Sequence, residues 1–117
     1  MSTTNIDHGN TFVTIGDEKY ELKFNLKAVK AIDTHFNGLL NAVRAITSLS
    51  PQALGAIVTF GAGLSTKPKD VEALEWAITC AGVSSVMTAV NPYLLAMLNP
   101  AQKTEEQIEE EAEAGNA

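Results

Sequence analysis

The chain has 117 residues, a net charge of −6 and a single cysteine, Cys80. That length fits one domain with a modest core of its own, and one cysteine excludes an intrachain disulfide framework and fits a reducing compartment. Six of the fourteen acids lie after residue 100, offset there only by Lys103, so the body is nearly neutral and lacks the basic patch that phosphate binding requires.

Residues 1–10, MSTTNIDHGN, have neither a basic start nor an apolar run. They are expected to be a flexible polar leader with no secretory signal. Val13 and Ile15 then alternate with Phe12 and Thr14, and Tyr20, Leu22 and Phe24 alternate with Glu21 and Lys23. A period of two places each set on one face of a strand. Gly16-Asp17-Glu18-Lys19 between them is turn chemistry. A lone hairpin is marginal in water, so its apolar face needs a cover. Asn25 fits an N-cap, with Phe24 and Val29 at the two positions of a hydrophobic staple. Leu26, Val29, Ile32 and Phe36 recur at helical spacing, and Asn37-Gly38 reads as a left-handed helix stop.

Leu39, Leu40, Val43, Ile46 and Leu49 predict a second helix with Arg44 outward. Ser50-Pro51 is a helix start, an N-cap serine before proline at the first helical position. Leu54, Ile57, Val58, Gly61 and Leu64 form the next buried stripe. Residues 65–69 read as a polar loop, and Asp70 as the cap of a fourth helix whose inward positions are Val71, Leu74, Ile78 and Ala81. Gly82 breaks or bends that helix. A fifth follows through Val83, Val86, Met87 and Val90. Asn91-Pro92 either kinks or restarts it, and Tyr93, Leu94, Met97 and Leu98 close the domain. Residues 101–117 are Glu- and Ala-rich and are expected to be a flexible acidic tail, disordered or a frayed helix.

One feature exceeds what a bland domain needs: no charged residue occurs between Arg44 and Lys67, or between Glu75 and Lys103. A helix on a monomer's surface normally shows a charged face. Three explanations compete. A membrane span fits by length and is weakened by Ser50, Pro51 and Gln52 in the first stretch and by Gly82, Ser84, Ser85, Asn91 and Pro92 in the second. The second explanation is a central helix pair covered by the others. The third is a contact surface for self-association or an apolar client, which adaptable methionines such as Met87 and Met97 suit.

The sequence contains no H-E-x-x-H, C-x-x-C or G-x-S-x-G motif. His8 and His35 are isolated, and with one cysteine they make a poor metal set. His35 reads as a helix-terminus cation favoured by the dipole. Gly61-Ala62-Gly63 begins a dinucleotide fingerprint, but Thr66 stands where its third glycine belongs, so close helix packing or a stop is the better reading. Glu72 and Glu75 read as a solvated pair, and Cys80 as inert core. No catalytic, metal or cofactor site is expected.

FVTIGDEKYELKFNLKAVKAIDTHFNGLL, residues 12–40, resembles the opening of the small tail assembly chaperones of long-tailed bacteriophages, of the gene transfer agent and prophage type. PYLLAMLNP, from Tyr93, is similar to that family's last helix. The resemblance covers roughly residues 10–100 and rests on structural motifs that are specific only in combination. It implies a non-enzymatic protein that binds the tape measure protein, helps recruit tail tube subunits, works in the host cytoplasm and is absent from the mature particle. The acidic tail matches no family hallmark.

The expected fold class is therefore α+β and mostly helical, an N-terminal β-hairpin packed on a bundle of four to five helices across residues 11–100. Phe60, Val83, Met87, Tyr93 and Met97 are the candidate partner-binding residues, for a client or a second copy. No nucleic-acid or membrane partner is expected. A structural tail or connector subunit is the alternative function.

Overall fold

A computed structural model describes residues 10–99; the leader before Asn10 and the acidic tail lie outside the described residues. The fold is α+β. Strands β1 (Thr11–Ile15) and β2 (Glu18–Leu22) pair antiparallel, and five helices follow: α1 (Leu26–Phe36), α2 (Leu39–Thr47), α3 (Pro51–Ala62), α4 (Pro68–Ala81) and α5 (Val83–Leu98).

The hairpin is tighter than the sequence pattern implies. Ile15 pairs directly with Glu18, so the loop is only Gly16-Asp17. Gly16 has φ 64, the positive value that glycine takes without strain at the first position of such a loop. Val13, Ile15 and Leu22 are buried, while Phe12 on the outer face is exposed and carries the Lys19 ammonium 4.7 Å from its ring centroid. Asn10, assigned above to the leader, is tied down. Its side-chain oxygen accepts from the Phe24 N–H at 2.7 Å, and its amide donates to Glu21.

The caps largely follow from local chemistry. The Asn25 side chain accepts from the Ala28 N–H at 2.8 Å, and that of Ser50 from Ala53 at 3.1 Å. Each satisfies an amide that a helix start leaves unpaired. Asn37 adopts the left-handed conformation that stops α1. The fourth helix is different: it begins at Pro68, and Asp70 lies inside its first turn rather than capping it. Proline's fixed φ suits the first helical position, and the same Xaa-Pro logic applies here as at Ser50-Pro51.

Helix α3 is the centre of the molecule, packed against β2 and all four other helices. Ala53, Leu54, Gly55, Ile57, Val58, Thr59 and Gly61 are all buried. Gly61 explains how β2 and α5 meet it. Its carbonyl accepts from the Lys23 N–H at 3.0 Å, and a Cβ there would lie 3.1 Å from the Tyr93 hydroxyl and 3.2 Å from Leu22. Gly63, two residues on, has φ 69 and ends the helix. The glycine pair thus supplies one close approach and one stop.

Several apolar positions read as inward are not. Leu26 is 70% exposed because it is the first residue of α1, ahead of the turn that packs. Leu40 faces out from α2, and Leu49 lies beyond that helix with φ 61. Ala81 and Cys80 are exposed at the end of α4, so the thiol is not core. Gly82 separates α4 from α5, which are bent by 111°. Helix α5 then runs unbroken through Pro92. That residue sits on the exposed side, where the backbone carbonyl it leaves unpaired can reach water.

Candidate functional site

The two uncharged stretches have different fates. The first centres on α3, most of which is buried, with exposed residues only at its start and in the segments that flank it. The second runs from the middle of α4 to the end of α5, and much of it is on the surface. Trp76, Thr79, Cys80 and Ala81 are exposed on α4, and Ser84, Ser85, Thr88, Pro92 and Leu98 on α5. Every exposed residue from Trp76 to Leu98 is therefore uncharged. Among the described residues no single helix is long and apolar enough to cross a membrane; α4 and α5 reach that length and composition only as the bent pair.

Trp76 is the largest side chain on this surface, 68% exposed. It lies two positions from both Leu74 and Ile78, the buried residues of α4. Two residues are about 200° of helical turn, so Trp76 points away from their stripe. That spacing is the sequence signal that marks it, and the apolar count alone hides it.

The five candidate contact residues do not form one patch. Tyr93 is fully buried, and Met97 is 8% exposed. The Tyr93 hydroxyl donates to the Lys23 carbonyl at 2.7 Å, locking α5 to the end of β2. Burial pushes its pKa well above the ordinary phenol value, so it is a neutral donor. Phe60, Val83 and Met87 are half-buried and pack against the core. The Phe60 ring also meets His35 edge-on, with centroids 5.3 Å apart. His35 thus has an aromatic contact besides its place in the last turn of α1.

A cavity of about 240 Å³ opens between β2, the α3–α4 loop and α4. Tyr20, Leu64, Ala73, Leu74 and Ala77 supply its apolar wall. Thr59, Ser65 and Asp70 supply its polar groups. Thr59 is 3% exposed, and its hydroxyl has no hydrogen-bond partner. Thr47, Thr79 and Thr88 each donate to the carbonyl four residues back; Thr59 does not, and unlike the exposed Thr34 of α1 it is buried. Among the described residues no three His, Cys, Asp or Glu side chains are grouped to hold a metal.

Matched against family models, curated proteins and solved structures, the chain has no counterpart in any of the three.

Proposed function

We propose that this protein is a non-enzymatic assembly chaperone of the phage tail type, acting in the host cytoplasm on the tape measure protein and helping to recruit tail tube subunits. The observation that carries the reading is the uncharged surface from Trp76 to Leu98. A helix facing only water gains by carrying charge. An exposed face of small polar and apolar groups instead desolvates at low cost, because no ion has to leave water. Such a surface suits reversible cover of an aggregation-prone helical client, with Trp76 as the anchor of the kind that dominates contact energies. The acidic residues after 100 keep such a complex apart from its neighbours by repulsion. The resemblance of residues 12–40 to the tail chaperones supplies the identity of the client.

The same surface serves self-assembly equally well in chemical terms, and a structural tail or connector subunit is the second reading. Co-expression with the tape measure protein of the same locus separates them. The chaperone reading expects the client to become soluble only in this protein's presence and the two to co-elute. A client that aggregates regardless, beside a chain that elutes alone as a stable oligomer or is found stoichiometrically in purified particles, overturns it.

A further inference from the structure

We propose that the cavity between β2 and α4 is a binding site for a short primary alkylammonium, its chain against Leu64, Ala73, Leu74 and Ala77 and its ammonium on the Asp70 carboxylate. This inference is independent of the assembly reading. Its first support is size. At about 240 Å³ the cavity is smaller than the roughly 300–1,000 Å³ of drug-sized sites, and it has room for one side chain or a molecule of that scale. The second is charge. Asp70 is exposed at the rim and has no ion pair with any described residue. A carboxylate there repels an anionic head and attracts a cationic one. An exposed ion pair alone binds weakly; the apolar wall adds to it, about fourfold per methylene buried.

The third support is Thr59. A valine would fill the same space without a hydroxyl to desolvate, yet the chain keeps a buried oxygen that no protein group pairs. A 120° rotation about χ1 carries the hydroxyl into the place of the γ-methyl and the methyl into that of Hβ, and threonine in helices uses two rotamers. Turned that way, the hydroxyl offers an N–H of the bound ammonium a second acceptor.

The test is a titration of the full chain with n-butylammonium, ethylammonium and butyrate, followed by NMR at the Ala73 and Ala77 methyls. Butylammonium is expected to shift both methyls at concentrations where butyrate does not, and to bind at least about tenfold more tightly than ethylammonium. Asp70→Asn should abolish the preference for the cation. Thr59→Val should weaken binding about threefold or more while its Tm stays at or above that of the parent, and Ala77→Leu should block the site. Equal responses to butylammonium and butyrate, an unchanged preference in Asp70→Asn, or a lower Tm in Thr59→Val overturns the proposal. A leucine-initiated peptide with a free or acetylated amino terminus gives the source of the amine. Binding of the free form alone identifies a chain terminus, and binding of butylammonium without the peptide identifies a small molecule.

Discussion

Helix α3 and the segment from Trp76 to Leu98 carry the same signature in sequence, a long run with no charge, and end in opposite places. In α3, residues on every side are buried, because strand β2 and four helices surround it. In α5 the buried residues Val86, Val90, Tyr93, Leu94 and Met97 keep to one side, and Ser84, Thr88 and Pro92 face out. Absence of charge therefore does not by itself say whether protein or solvent lies against a helix. What separates the two is composition. Gly55 and Gly61 in α3 let neighbours approach closely, whereas Ser and Thr in α5 keep a thin polar skin.

The largest test of this contrast is a truncation in each region. Leu54→Ala in α3 should destabilise the fold by about 2–5 kcal/mol through transfer and cavity terms, read by chemical denaturation. The matched change Thr88→Ala on α5 should stay within about 0.5 kcal/mol of the parent. If both cost the same, α5 is as enclosed as α3 and the distinction fails.

The two glycines of α3 sharpen the picture on a smaller scale. Gly61→Ala puts a methyl 3.1–3.2 Å from Tyr93 and Leu22, both fully buried, and should cost about 1–3 kcal/mol. Gly55→Ala meets the Cγ of Glu75 at 3.1 Å. That stem is flexible, and the better helix propensity of alanine, about 1 kcal/mol, offsets the shift. Gly55→Ala should therefore unfold at nearly the parent's denaturant midpoint.

Tyr93→Phe removes one hydroxyl and leaves the Lys23 carbonyl unpaired, for an expected loss of about 1–2 kcal/mol. It also tests the burial of α5 through pH. The folded-state pKa of Tyr93 is raised, while the unfolded chain titrates near about 10. Above that value the unfolded state sheds the proton that the folded state retains, so stability falls as pH rises towards the raised pKa. The phenylalanine variant should show a shallower alkaline decline. The smallest effect should come from Leu49, whose φ of 61 suits glycine. Leu49→Gly should raise stability by about 0.5–1 kcal/mol, seen as a higher Tm.

Local chemistry was legible where one residue decides an outcome. The glycine of the hairpin loop, the Asn25 and Ser50 caps and the Asn37-Gly38 stop each follow from a side chain or a φ value that no neighbour alters. In α4 the inward positions Leu74 and Ile78 were legible from their spacing, but the exposure of Cys80 and Ala81 was not, because the last turn carries no charge to mark its outer side. Tyr93 illustrates a different limit. Its partner, the Lys23 carbonyl, is 70 residues away in sequence, and no short-range pattern distinguishes such a buried tyrosine from one facing a partner. The cavity joins β2, a loop and α4, and only the tertiary fold assembles it.

The central claim is that the uncharged α4–α5 surface is for contact, and a charge placed on it tests that most directly. The double variant Trp76→Glu, Thr88→Lys alters only exposed positions. The measurement is its Tm together with the fraction of co-expressed tape measure protein that stays soluble and co-elutes. The account predicts a Tm within a few degrees of the parent and loss of the soluble complex. A variant that folds equally well and still carries the client into solution contradicts it.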